Sequence, residues 1–312
     1  MKRNILNENR IIITVALVFA AAMVAFPAVT ETGSKSAISI WLNSIVPVLL
    51  PFFIFADFIK RTADMTRIPV RAYPVVMAFL SGYPMGAKIV GDLVKDGILS
   101  IREGENVISY SLVTGPAFIL GTIGAFLGNT RAAAFVAIAH YLGAACNGLM
   151  WRSGLEHQNI KICRPHRTIV SGQSKNNNIL DNFTDAILAG FRAMAIILAY
   201  LILFMIAAEL LEITGVFGIL HGQEWQAAAK GLMEMTIGAN HIGMCNISMG
   251  FKVVLVSFII SFGGLSVIGQ SVSVAAGSGL TLKTILKVKM THGLFAGVIA
   301  AIMIFLESTV FS

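Results

Sequence analysis

The sequence contains little charge and few cysteines. Only 12% of its 312 residues are Asp, Glu, Lys or Arg, whereas 56% are hydrophobic and the mean hydropathy is +0.79. A water-soluble fold needs more polar surface than this, so the composition excludes a soluble globular domain and predicts an integral membrane protein. The three cysteines are too few and too scattered for a disulfide framework, and no CxxC pair indicates a metal or redox site.

Signatures of catalysis and of nucleic-acid binding are also missing. The six histidines are dispersed without an HExxH string, and no nucleophile–base arrangement indicates an enzyme. The net charge of +7 comes from basic residues in the gaps between apolar runs, a pattern typical of cytoplasmic loops beside anionic lipid. We therefore expect no enzyme, no metal, no cofactor and no nucleic-acid partner, with Na⁺ or H⁺ left open as a coupling ion. An intramembrane enzyme is the weakest alternative.

Apolar runs long enough to cross a bilayer recur along the whole chain. A spanning helix needs about 20 mostly apolar residues. The seven candidate runs are 11–30, 37–56, 106–130, 132–151, 193–208, 253–282 and 290–306. We interpret 11–30 as a retained transmembrane helix, because its apolar stretch is longer than that of a signal peptide.

The basic residues between these runs predict the orientation. The N-terminal arm, the segment after residue 60, the central loop 152–180 and the connector 283–289 are rich in Lys and Arg, so we assign them to the cytoplasm. This assignment puts the N-terminus inside and the C-terminus outside. It also requires two apolar segments to enter and leave the membrane on the same side.

These two segments are predicted to be re-entrant hairpins that open from opposite faces. The first covers 72–97 and is broken at Ser81-Gly82-Tyr83-Pro84, where proline favours the start of a new helix. The second covers 227–251, and we expect its break around Gly238 to Asn246.

A long helix with a break in its middle follows each hairpin. In 106–130 the break is Thr114-Gly115-Pro116, and in 253–282 it is Gly263-Gly264. The order helix, hairpin, broken helix, helix therefore occurs in 37–151 and again, with opposite orientation, in 181–307. The sequence predicts an all-α polytopic membrane protein with two inverted repeats and one extra N-terminal transmembrane helix, an architecture typical of secondary transporters. The alternative is that the breaks are kinks that only shape helix packing.

Backbone without helical hydrogen bonds is tolerated inside a membrane only where protein or water in a cavity supplies hydrogen-bond partners. Four breaks at similar depth therefore predict one shared polar site. Glu234 is its strongest candidate, because a charge at bilayer depth is costly unless it serves a function or is paired. It would bind a solute or a cation, or carry a proton; the alternative is a hairpin end in water. Capping of the hairpin tip and a Lys88–Asp92 pair are structural alternatives for other members. The candidate substrate-binding residues are Glu234, Thr236, Asn240, Ser266, Gln270, Ser81, Tyr83, Lys88 and Thr114.

Four strings carry a family resemblance. They are SGYPMGAKIVGDLVKDGILS at 81–100, TGPAFILG at 114–121, GLMEMTIG at 231–238 and SFGGLSVIGQ at 261–270. With them the chain resembles the YlbJ-type sporulation integral membrane proteins over most of 37–307. This resemblance implies a nucleoside-recognition Gate domain, shared more distantly with concentrative nucleoside transporters, and a multi-pass protein of the cytoplasmic membrane of an endospore-forming bacterium. It also implies that Glu234 is placed like a hairpin glutamate that binds ribose in those transporters, and Ser266 like a serine after their glycine-rich break.

Two functions follow from these observations. The first is a transporter-like protein that binds or moves a small polar solute at a site near the bilayer midplane, and the resemblance implies a nucleoside-like solute. The second is a non-transporting membrane component needed for assembly of the spore cortex or envelope through protein partners. The lipid bilayer is a partner in both cases, and a homo-oligomer or sporulation membrane partners stay open.

Overall fold

The computed structural model describes residues 2–62, 69–152 and 178–310, and these residues form helices and turns without a strand. The all-α polytopic membrane fold predicted from composition is confirmed. The helices of the first half are α1 (Lys2–Ala25), α2 (Pro27–Ile40), a π-helix (Trp41–Ile45), α3 (Val46–Thr62), α4 (Tyr73–Ser81), α5 (Tyr83–Lys95), α6 (Ile101–Ser111), a π-helix (Phe118–Ile123), α7 (Gly124–Leu127) and α8 (Thr130–Arg152).

The second half repeats this order of long helix, short pair, interrupted helix and long helix. Its helices are α9 (Ile179–Ile213), a 3₁₀-helix (Val216–Ile219), α10 (Gln223–Met233), α11 (Met235–Met244), α12 (Met249–Phe262), α13 (Gly264–Val274) and α14 (Leu282–Val310). Most of the predicted central loop 152–180 lies outside the described residues.

Five helical segments in the described part of the chain are long and apolar enough to cross a membrane. They are Pro27–Ile59, Thr130–Arg152, Ile179–Ile213, Met249–Val274 and Leu282–Glu307. The N-terminal run 11–30 does not form a single helix, because α1 ends at Ala25 and a new helix begins at Pro27, where proline suits the first helical position. The run 106–130 is not continuous either, since the backbone leaves helical geometry between Leu112 and Gly115.

The second hairpin turns at Glu234, so its predicted break around Gly238 to Asn246 is misplaced; within that range the backbone leaves helical geometry only from Cys245, between α11 and α12. Glu234 is extended (φ −144°, ψ 119°), and its side chain caps α11 by accepting a hydrogen bond from the amide of Ile237. Gly238 lies inside α11, where a Cβ would overlap the Cα of Gly231. The glycine therefore permits close packing of α10 against α11 and does not mark a turn.

Polar contacts fix which helix ends lie together. Arg61 at the end of α3 pairs with Asp185 near the start of α9 (Nη1–Oδ2 3.0 Å), and Thr284 of α14 donates to Glu105 of α6 (2.9 Å). Arg131 at the start of α8 pairs with Glu307 near the end of α14 (2.6 Å). The pairs Arg61–Asp185 and Thr284–Glu105 thus join helix ends next to the basic segments. The pair Arg131–Glu307 joins two helix ends that were assigned outside.

Lys289 does not belong to an exposed cytoplasmic connector, as the assignment of 283–289 expected. It lies inside α14 and is 1% exposed. The helical period explains the difference, because Lys283 and Lys287 are one turn apart on one face, whereas two further residues turn Lys289 by about 200° to the opposite face.

Candidate functional site

The interruptions of the helices in both halves meet at one cavity of about 210 Å³. Gly82 from the first hairpin, Gly115 from the first interrupted helix and Glu234 from the second hairpin all line it. Its polar side chains are those of Asp57, Tyr83, Thr114, Glu234, Thr236, Ser266 and Gln270. The remaining wall is largely apolar, and α3 and α9 contribute much of it through Leu49, Phe52, Phe53, Ile196, Ile197 and Leu201.

Glu234 is the buried carboxylate of this cavity. Its side chain is in the core, and the residue is 5% exposed. Oε2 accepts a hydrogen bond from the Ile237 amide (2.9 Å), and Oε1 accepts one from the Thr236 hydroxyl (3.2 Å). Both donors are less than one helical turn away in the sequence. The carboxylate is therefore held by its own hairpin and still borders the cavity.

Side chains from other helices form hydrogen bonds with the backbone at the interruption in the first half. The Thr114 amide donates to His140 Nε2 (3.1 Å), and the Thr114 carbonyl accepts from the Tyr141 hydroxyl (2.9 Å). His140 Nδ1 lies 2.8 Å from the Ser261 hydroxyl oxygen of α12. Through these interhelical contacts His140 connects the two interrupted helices.

Tyr83 and the pair Ser266–Gln270 occupy two further sides of the cavity. The Tyr83 hydroxyl donates to the Ile260 carbonyl near the end of α12. Gln270 Nε2 donates to the Ser266 hydroxyl (3.3 Å), one turn earlier on α13. The tight approach of α13 to the second hairpin requires Gly264, where a Cβ would lie 3.0 Å from the Met233 carbonyl oxygen.

Four helices begin at or next to the cavity. They start after Gly82, after Gly115, after Glu234 and after Gly263. A helix N-terminus carries partial positive charge and free amide donors. The cavity therefore combines an acceptor, the Glu234 carboxylate, with several surrounding donors, and it can hold a molecule that presents both kinds of polar group on an apolar body.

Three predicted members do not contribute a described side chain to the cavity lining. Lys88 is exposed, because α5 turns Ile89, Val90 and Leu93 toward the core instead. Asn240 is half-buried and lies four residues beyond Thr236, about 6 Å further along the axis of α11. The side chain of Ser81 lies outside the described residues. Glu234, Thr236, Ser266, Gln270, Tyr83 and Thr114 are brought together.

Sequence reasoning missed two charged residues near the site. Asp57 lines the cavity and pairs with Arg61 (Oδ2–Nε 2.6 Å), which in turn reaches Asp185. The buried Lys289 donates to the Leu112 carbonyl (3.0 Å), and its Nζ lies 4.3 Å from the centre of the Tyr83 ring. The signal for Lys289 was its position on the helical face opposite Lys287. Within the described residues, no cluster of His, Cys, Asp and Glu could hold a metal ion.

Comparison with known proteins gives one significant relationship. The chain is 23% identical to the sporulation integral membrane protein YlbJ of Bacillus subtilis (strain 168), and the alignment covers 95% of this chain and 83% of that protein. No family model matches the chain, and no solved structure matches it significantly. The family expected from the four sequence strings is supported by this similarity along nearly the whole chain. The chain is therefore an integral membrane homologue of the YlbJ-type sporulation proteins.

Proposed function

We propose that the protein binds a small solute in the cavity around Glu234 and moves it across the membrane by alternating access. The observation that supports this most strongly is the meeting of the helix interruptions at one buried, partly polar cavity. Packing kinks would not need to converge, whereas a binding site built from broken helices requires it. In this proposal the two halves are inverted repeats, and the cytoplasm lies at the end where Arg61 meets Asp185.

The size and lining of the cavity limit the solute. A volume of about 210 Å³ is below the roughly 300–1,000 Å³ of sites for drug-sized molecules, so the solute is small. The apolar wall of α3 and α9 would cover its body, and Glu234 would accept hydrogen bonds from its hydroxyl or amine groups. A nucleoside-like molecule agrees with this chemistry and with the Gate-domain resemblance, and we include nucleobases, amino acids and dicarboxylates as other candidates.

Exchange of hydrogen bonds at Glu234 would couple binding to the hairpin. When a solute donates to the carboxylate, the bonds from Thr236 and Ile237 compete with it. Binding would therefore change how α11 is capped, and the hairpin can respond by opening or closing. Asp57, Arg61 and Asp185 are placed to latch α3 to α9 at one side of the cavity.

Thermal unfolding of the detergent-purified protein with a panel of these solutes and of divalent cations tests the proposal. A ligand at about 100 times its Kd should stabilise the protein by roughly 2.7 kcal/mol. The stabilisation should disappear in Glu234→Gln and persist in Glu212→Gln, a control carboxylate that pairs with Lys230 outside the cavity lining. A stabilising solute that acts equally on wild type and Glu234→Gln would contradict the site.

The name of the relative favours a second function, a membrane component required for sporulation. In that case the protein would act through protein partners in spore cortex or envelope assembly and would not transport. Complementation in a spore-forming host separates the two functions. A Glu234→Gln protein at normal expression should fail if the solute site is essential, and full complementation would favour the assembly role.

A further inference from the structure

The amine of Lys289 lies in the core of the membrane domain and is not among the groups that line the solute cavity. The residue is 1% exposed, and none of the ion pairs found among the described residues includes it. Its ammonium donates to the Leu112 carbonyl at 3.0 Å and lies over the face of the Tyr83 ring. Both contacts suit a cation, because a carbonyl oxygen and an aromatic face each present negative charge.

The position of this ammonium relative to the interrupted helices is specific. Leu112 is the C-terminal cap of α6, whose last turn carries partial negative charge. The Lys289 stem also passes the end of α12, where its Cε lies 3.4 Å from the place that a Cβ on Gly263 would take. The second halves of the broken helices begin toward the solute cavity, and their first halves end toward Lys289.

Half-helix C-terminal ends and unwound carbonyls are the groups with which transporter folds coordinate a coupling cation such as Na⁺. We propose that the Lys289 ammonium is a built-in cation that occupies this position permanently, so that the protein needs no bound Na⁺ to join the ends of α6 and α12. The coupling consequence, transport without Na⁺, rests on the proposed function. The claim that a fixed charge occupies this position is independent of the proposed function.

The same geometry predicts what happens when the charge is removed. Lys289→Met keeps most of the apolar stem but leaves the Leu112 carbonyl at the end of α6 without its positive partner. The Leu112 carbonyl is a hard oxygen ligand, which suits a small alkali cation. The variant should therefore acquire a cation dependence that the wild type lacks.

The experiment measures thermal unfolding of the full-length purified protein in the chlorides of Na⁺, Li⁺, K⁺ and choline at equal ionic strength. Wild type and Lys289→Arg should unfold at the same temperature in all four salts. Lys289→Met should unfold earlier in choline and gain a saturable upward shift with Na⁺ or Li⁺. The matched control is Lys252→Met, since partly buried Lys252 also donates to a helix-end carbonyl, that of Gly243 (2.7 Å), but lies in the first turn of α12, at the opposite end of that helix from its interruption at Gly263. It should show no selective shift.

Two results would overturn the proposal: a selective stabilisation of the wild type by Na⁺, or a folded Lys289→Met protein that responds equally to all four salts. Lys289→Gln replaces the Met variant if that variant cannot be purified. If neither neutral variant is recovered in any salt, wild type and Lys289→Arg decide: cation-independent unfolding of both supports the fixed charge, and Na⁺-selective stabilisation of either contradicts it. None of these measurements uses a solute, so failure of the solute panel leaves this test intact.

Discussion

In the first half of the chain, side chains from distant helices hold the interruption of the long helix: His140 and Tyr141 bind Thr114, and Lys289 binds Leu112. In the second half, the interruption of the hairpin is held locally by the Glu234 carboxylate, which binds its own hairpin. Both arrangements satisfy backbone groups that would otherwise be unpaired in the membrane. They differ in what must move before those groups can change partners.

This difference gives the two halves different roles. We call the first half the frame, because its contacts span several helices, and the second hairpin the responsive element, because its contacts are local. To release Thr114, helices α8, α12 and α14 would have to move apart, because His140 also contacts Ser261 and its carbonyl lies 2.9 Å from His292 Nε2. To release Glu234, only one side chain has to rotate. We therefore expect the first half to contribute stability and the second hairpin to contribute the response to a solute.

The largest expected effect concerns a feature that both halves share, a tightly packed glycine in each hairpin. Gly86→Val and Gly238→Val should each abolish recovery of folded protein, because a Cβ at these positions overlaps the Ser111 carbonyl or the Gly231 Cα. The cost should exceed about 4 kcal/mol. Size-exclusion chromatography after detergent extraction measures the recovery of folded protein. Gly218→Val is the control, since its Cβ would have no neighbour within 4 Å. Normal recovery of either variant would mean that the hairpins are not packed this closely.

The next effect separates the halves. His140→Phe removes the partner of the Thr114 amide and of the Ser261 hydroxyl, so it should destabilise the protein by about 2–4 kcal/mol. Glu234→Gln keeps an oxygen acceptor for the Ile237 amide and should cost less than about 1 kcal/mol without a solute. Thermal unfolding of both variants, with exposed His221→Phe as the control, gives the comparison. Equal losses would remove the distinction between frame and responsive element.

The smallest effect compares the caps of the interrupted helices. Ser100 caps α6 in a capping box with Glu103, whereas Ser248 caps α12 by a single bond to the Phe251 amide (3.3 Å). Ser100→Ala should cost about 1 kcal/mol, and Ser248→Ala less. Unfolding midpoints of the two variants measure the difference, and a larger loss in Ser248→Ala would contradict it.

The capping box also makes the first half sensitive to acid. Burial raises the pKa of Glu103, but hydrogen bonds from Ser100 and Arg71 outweigh burial and leave this pKa below its ordinary value. A lowered pKa in the folded state stabilises the fold above the pKa of the unfolded state. That contribution is lost as the pH falls through the lowered value. Ser100→Ala should therefore reduce the acid dependence of the unfolding midpoint, and Ser248→Ala should leave it unchanged.

Much of the fold was accessible from the sequence because the membrane limits the choices. Uncharged runs of about 20 residues predicted an all-α polytopic protein, which is confirmed, and the four strings predicted the family. The opposite orientation of the two halves stays a prediction. The break of the second hairpin was misplaced, because a glycine that permits packing and a glycine that ends a helix look alike in sequence. The actual break is the single extended residue Glu234, and nothing in the neighbouring sequence indicates a break there.

The site could be predicted only in part for a related reason. Polar residues near the breaks were recognisable, and six of them line the cavity. Asn240 and Lys88 were misplaced because their distance from the cavity depends on how far and in which direction each short helix runs. Lys289 was assigned to a basic connector because its neighbours are lysines, and only the phase of α14 shows that it turns inward. Contacts such as Lys289–Leu112 join residues 177 positions apart.

The most direct test of the central claim, one cavity that opens to both sides of the membrane, needs no knowledge of the solute. In a chain whose three cysteines are replaced by serine, Ser266→Cys on the cavity wall is exposed to a membrane-impermeant thiol reagent in right-side-out and in inside-out vesicles. Ile119→Cys, fully buried and not among the described residues that line the cavity, is the control. We predict that Ser266→Cys is labelled from both sides and Ile119→Cys from neither. Absence of labelling at Ser266→Cys from either side, in protein that is folded and present in the membrane, would contradict alternating access.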